Sequence, residues 1–346
     1  MVAFLCGVVS FASTAVMVYS GLNLRRAVEI GIIVMIIGIA VMPSTRSLSY
    51  FMVASAIASI GAGLQPLLLT STVLSGAKHG KSIPAFSSTL SLSLIIGPVY
   101  LSLLTHIPRV DLLTSLLGLV PITTLGLLAY MRASITHNVE STSKVGVRQM
   151  LNMLGNRGYL LGVILEISFT VPFAAFTTYG AILASLRGAG GTLVELLVSV
   201  FFLSSFSARA LMTHTEGRAP SILVFVLSAI GLPIAALSTA LYQIAISFVL
   251  LGLAHGLAYP LSVGFVAKSV NKETLAWANT LLSGISAGTL FIALPVLGFL
   301  AQAAGLQAVF LAPEPLVVAL ALAFYVALNG GAGRVAKAGL TAGSNS

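Results

Sequence analysis

Gly61-Ala62-Gly63-Leu64-Gln65-Pro66-Leu67 returns later in the chain as Gly256-Leu257-Ala258-Tyr259-Pro260-Leu261. Pro66 and Pro260 stand about 195 residues apart. Each run is followed by a short basic stretch, Lys78 to Lys81 in one case and Lys268 to Lys272 in the other. Each basic stretch leads into a segment rich in small residues with a late proline, Pro98 and Pro295. Such a repeat means two copies of one structural unit. Two units of this period need about 390 residues, and the chain has 346. The shortfall matches one helix and a short tail at the N-terminal end.

Composition sets the solvent. The chain is 58% hydrophobic and 7% charged. A soluble domain carries about 25% charged residues, so most of this surface must face lipid. Eleven apolar runs follow one another: 2–20, 27–43, 49–75, 85–105, 112–131, 159–184, 191–212, 219–238, 241–267, 275–302 and 308–329. Most are long enough to cross a hydrocarbon core about 30 Å thick as a helix. Their apolar character is continuous rather than alternating, which selects helices over barrel strands. The predicted class is an all-α, polytopic helical membrane protein. The net charge of +9 does not indicate nucleic acid, because the basic residues are scattered through the gaps. The single cysteine, Cys6, excludes an internal disulfide and a cysteine metal cluster. Residues 1–20 lack the basic start of a signal peptide.

The cations sort by side. Alternate gaps and ends collect 14 of them, from Arg25 and Arg26 through Lys144, Arg209 and Arg218 to Arg334 and Lys337. The other side holds 3: Arg46, Arg109 and Arg187. By the positive-inside rule the richer side is cytoplasmic. The expected placement is a multi-pass protein of the cell membrane, with its C-terminus cytoplasmic and the N-terminus of this chain outside. The expected organisation is an N-terminal bundle over 1–131, a cytoplasmic central loop over 132–158, a C-terminal bundle over 159–329 and a disordered tail over 330–346.

Several pieces resemble the major facilitator superfamily. Arg25-Arg26 resembles the end of the family's basic loop between its second and third helices. Ser59-Ile60-Gly61-Ala62-Gly63 resembles the glycine run of its fourth helix, and Ile96-Gly97-Pro98 the Gly-Pro signature of its fifth. Leu251 to Gly256 with Pro260 resembles its tenth helix; Gly284, Gly288, Pro295 and Gly298 resemble its eleventh. The resemblance covers nearly the whole chain and implies that the first helix of twelve is missing. The chain departs from the family at the basic-loop aspartate, for which Gly21 to Leu24 offers none. The arginine often found before the helix-four glycines falls at Ser55. The resemblance implies a two-bundle secondary transporter with alternating access and a site near the bilayer midplane.

Within the apolar runs, Glu166 is the sharpest candidate, because an ionisable group in a span faces a cavity or a partner. It could hold a proton or bind a cationic cargo. Thr170 lies one turn on along the same face, and Pro172 is expected to kink that helix. His255 could relay a proton, with Tyr259 one turn away. Gln65 could bind a polar cargo or tie two helices together. Arg25 and Arg26 are expected in a cytoplasmic gating loop. Gly61, Gly63, Gly97, Gly284 and Gly288 are expected to let helices approach closely. Pro98 and Pro295 mark further kinks.

No hydrolase, zinc-protease or P-loop motif occurs, so the expectation is a non-enzyme with no cofactor and no metal. The expected partners are the bilayer, a small-molecule substrate and protons, and the expected state is a monomer. Drug-like or weakly polar efflux is favoured over sugar or organic-acid uptake. A degenerate, non-transporting paralogue or truncated gene product is the other reading.

Overall fold

The computed structural model describes residues 2–20, 24–44, 47–74, 82–105, 117–132, 147–212 and 218–329. Among them every regular element is a helix. In the first half these are α1 Val2–Tyr19, α2 Leu24–Val41, α3 Leu48–Ala62, α4 Gln65–Leu74, α5 Ser82–Thr105 and α6 Leu119–Arg132. A short helix, α7 Val147–Leu154, precedes the second half. There follow α8 Arg157–Leu186, α9 Gly191–Met212, α10 Arg218–Leu237, α11 Leu241–Ser269, α12 Leu275–Leu311 and α13 Pro313–Asn329.

Among the described residues, seven helical stretches are long and apolar enough to cross a membrane, beside the shorter apolar helices Leu5–Tyr19, Phe86–Gly97 and Leu119–Ala129. One stretch, Lys272–Asn329, is 58 residues long. A straight helix of that length would far exceed a bilayer, and it holds two passes, α12 and α13. The described residues therefore make about eleven passes. Ile30, Ile33 and Ile37 of α2 are 45–52% exposed at helical spacing, a face that only lipid can cover without cost.

Three boundaries differ from the sequence reading. The run 49–75 is not one helix: it breaks at Gly63-Leu64 into α3 and α4. Thr14 of α1 donates its hydroxyl to the Gly63 carbonyl. A Cβ at Gly63 would lie against the Ser10 carbonyl and that same hydroxyl, so only glycine lets α1 close on the break. The run 275–302 does not stop there, since α12 continues to Leu311. Gly305, at φ 80°, bends it in the left-handed region that favours glycine. The segment 132–158 is not loop throughout, because it contains α7 and the start of α8. Asn156 caps α8, accepting from the Gly158 and Tyr159 amides at 2.9 and 3.3 Å. Its Nδ2 donates to the Ser269 carbonyl at 2.8 Å and ties α8 to the end of α11.

Other readings fall outside the described residues: the cations Arg46, Lys78, Lys81, Arg109, Lys144, Arg334 and Lys337, and the tail. Arg25 and Arg26 are described, and they are not in a loop. Both sit in the first turn of α2. Arg25 pairs with Glu29 at 2.9 Å and donates to the Met131 carbonyl at 2.9 Å, which fastens α2 to α6.

In the second half, α11 is central and packs on α8, α9 and α10. Its core is aromatic: Phe176 stacks on Phe201 at 3.8 Å and meets Phe248 edge-on at 4.7 Å. The halves meet where α5 packs on α9, and where α1 and α4 pack on α12. Close approach depends on Gly252 and Gly256, one turn apart on α11. A Cβ at either would collide with a carbonyl of α9, that of Phe201 or Ser205. Gly61 likewise abuts Met35, and Gly284 abuts the Phe11 ring. Gly97 and Gly288 correct the sequence reading: among the described residues nothing lies within 4 Å of a Cβ added at either. Gly256→Val should therefore force α9 and α11 apart and cost about 1–3 kcal/mol. Thermal unfolding in detergent would show it, and Gly97→Ala serves as the unperturbed comparison.

Candidate functional site

The sequence scattered its candidates over separate helices; the fold brings most of them to one chamber. A cavity of about 290 Å³ lies between the halves. From the first half, Ser10, Phe11 and Thr14 of α1 line it, together with Gly63, Gln65 and Pro66 at the α3–α4 break. From the second half come Glu166, Phe169, Thr170 and Phe173 of α8. α11 adds His255 and Tyr259, and α12 adds Thr280, Ser283 and Ser286. Every transport candidate named from the sequence lies on this wall.

The helix periods explain the grouping. Glu166, Phe169, Thr170 and Phe173 fall at i, i+3, i+4 and i+7, one face of α8. His255 and Tyr259 are one turn apart on α11. Gln65 enters because the chain breaks at Gly63-Leu64, which leaves it at the first position of α4.

Glu166 is only partly covered, and its open side faces the chamber. Its carboxyl lies near the Ser286 and Ser262 hydroxyls, and Ser262 donates to the Gly162 carbonyl at 2.8 Å. Thr170 donates to the Glu166 carbonyl at 2.6 Å and meets Ser286 at 3.2 Å, so α8 and α12 are stitched beside the acid. Tyr259 meets Gln65 across the chamber. Thr280 has a buried hydroxyl with no partner among the described residues.

Arg209 is the residue that the sequence reading missed. It was counted among the cytoplasmic-side cations. It lies one turn inside the end of α9, is 2% exposed and turns inward. Its Nη1 donates to the Ser87 carbonyl of α5 at 2.5 Å. Its Nη2 reaches His255 Nε2 at 3.5 Å. The guanidinium carbon stands 5.8 Å from the Tyr259 ring centre, and Glu166 is within electrostatic range. The available signal was that Arg209 stands within the apolar run 191–212, three residues before Met212.

His255 is held on every side. An arginine can only donate, so Nε2 accepts and Nδ1 carries the proton. Nδ1 then donates to Ser205 at 3.0 Å. The ring stacks on Phe173 at 4.8 Å, with planes 7° apart, and lies 4.9 Å from Phe169. Ser205 meets Ser91 of α5 at 3.2 Å. A closed polar ring results: Ser91, Ser205, His255, Arg209 and back to α5 at Ser87. It joins the two halves directly behind the chamber wall.

No family model matches the sequence. No curated protein matches it either. Solved structures do. The human organic anion transporter MFSD10 (TETRAN) superposes with a TM-score of 0.77 at 14% identity, covering 93% of this chain and 82% of that one. A variant of the E. coli fucose:proton symporter FucP gives 0.72 at 18% identity, covering 93% and 88%. FucP in an outward conformation gives 0.71 at 17%, covering 93% and 87%. At such low identity the likeness speaks for the fold. Helices, inter-half packing and chamber agree with it: this chain has the fold of the major facilitator superfamily transporters.

Proposed function

We propose that the protein is a secondary transporter of a small molecule, working by alternating access at the chamber. One observation carries the reading: a single cavity is walled by both halves and lined by Glu166, the Gln65–Tyr259 pair and a row of hydroxyls. A site shared between two bundles changes its exposure when they rock. The bundles in this reading are 1–131 and 159–329, joined through 132–158. The protein sits in the cell membrane as a monomer, with the C-terminus cytoplasmic and the N-terminus of this chain outside.

Coupling is to protons. Glu166 takes and releases the proton at its carboxyl. His255 and Arg209 carry the change to the α5–α9 contact, since both belong to the polar ring. Efflux of a drug-like or weakly polar compound fits the phenylalanine-rich side of the chamber. Sugar or organic-acid uptake finds support in the hydroxyls of Thr14, Thr280, Ser283 and Ser286, and FucP is described as a fucose:proton symporter.

The test is reconstitution in phospholipid vesicles, with and without an imposed pH gradient. A panel of lipophilic cations, neutral drugs, sugars and organic acids should include a solute whose accumulation collapses when the gradient is dissipated by an uncoupler. No gradient-dependent flux for any class, in protein that remains folded, would instead support the non-transporting reading.

A further inference from the structure

Beside the chamber lies an apolar groove of about 860 Å³ between α1 and α12. Gly7, Phe11, Ala287 and Leu290 line both spaces, so the two adjoin along these residues. The rest of the groove includes Val8, Gly288, Phe291 and Leu294. Val8 and Phe291 are 47% and 49% exposed, so the groove also opens at the lipid-facing surface. At about 290 Å³ the chamber alone lies at the small end of ligand sites, which run from ~300 to ~1,000 Å³. It has room for a head group, and the groove has room for a chain.

Charge then selects the head group. Among the described residues, the chamber lining contains one carboxylate, Glu166, and no lysine or arginine. Arg209 stands behind the wall, bonded to the Ser87 carbonyl and His255, while its buried Nε has no partner among the described residues. Phe11, Phe169, Phe173 and Tyr259 present aromatic surface to the same space. A carboxylate among aromatic rings attracts a cation, and aromatic faces suit a weakly hydrated quaternary one best. An anionic head would meet Glu166 directly, with Arg209 behind the wall and no cation among the described lining residues.

Resting on the carrier reading above, we infer that the cargo class is the amphipathic organic cation. The cationic head occupies the chamber beside Glu166 and the aromatic rings. The hydrocarbon tail lies in the groove between α1 and α12, where it arrives directly from the bilayer. Phe11 stands at the junction of the two spaces, packed against Gly284.

The probes are alkyltrimethylammonium ions with tails from butyl to octyl, and alkyl sulfates of the same tails. Binding to the purified, detergent-solubilised protein is followed as displacement of radiolabelled tetraphenylphosphonium. The ammonium series should bind more tightly with each lengthening of the tail, and the sulfates at least tenfold more weakly at equal length. Glu166→Gln should weaken the ammonium ions at least tenfold. Gly288→Phe should remove the gain with tail length, because its Cβ faces open space and the ring extends into the groove. Gly7→Leu, on the opposite wall and also open, repeats the obstruction independently. Sulfates binding as well as ammonium ions would overturn the proposal, as would an unchanged tail dependence in both folded glycine variants. Binding needs no transport, so the two readings fail separately. Cation binding without flux sinks only the carrier reading. Gradient-driven flux of a sugar without ammonium binding sinks only the cargo class.

Discussion

Arg209→Met should destabilise the protein by about 3–5 kcal/mol, the cost of removing one partner from a buried charged network. The guanidinium is 2% exposed and links three helices. Without it, His255 Nε2 loses the donor that fixes its tautomer. The Ser87 carbonyl loses the contact that joins α5 to α9, and Glu166 loses the nearby positive charge. Arg209→Lys should recover part of the stability, since a compact ammonium keeps the charge but not the planar fork that serves two acceptors. The decisive measurement is a double-mutant cycle with Glu166→Gln, read by thermal unfolding in detergent. The double variant should be more stable than the sum of the single losses predicts, because the amide no longer needs a counter-charge. Strict additivity would mean that Arg209 only glues α5 to α9 and does not sense the chamber.

The helices were legible because lipid imposes a simple rule: each pass is a continuous apolar run bounded by polar residues. That rule placed Glu166 inside a span and made it a candidate at once. The same rule hid the break at Gly63-Leu64, where the run stays apolar across the interruption. The cause lies on another helix, in the Thr14 hydroxyl and Ser10 backbone of α1. Arg209 was misread for a related reason. A long cation one turn from a helix end ordinarily stretches to the water. Whether it turns outward or inward is decided by Ser87 on α5 and His255 on α11, which only the fold brings near. The glycines show the same limit. Gly284 and Gly288 have equal spacing and composition, yet one abuts Phe11 and the other faces open groove. Spacing reveals a possible contact face; it does not reveal whether a helix lies against it.

Glu166→Gln should abolish proton-driven accumulation, by at least tenfold, while leaving the protein folded. The amide matches the carboxyl in shape, and the Thr170–Ser286 stitch between α8 and α12 does not depend on the carboxyl. It cannot exchange a proton. Among the described residues, Glu166 is the only acid in the chamber lining. His255 is engaged at both nitrogens, by Ser205 and Arg209, and the guanidinium stays protonated. No other lining group can replace the carboxyl without dismantling the polar ring. Two readouts separate this role from a structural one. Substrate exchange at equal pH on both sides should persist in the variant, because alternating access needs no net proton movement there. The pH dependence of cation binding should also flatten. In the wild type, proton and cation compete for one carboxylate, so acidification weakens binding; the amide offers neither of them a charge. A variant that still accumulates substrate against a pH gradient would move the proton site away from Glu166. The competition then has to be sought at His255, where His255→Gln should flatten the same profile.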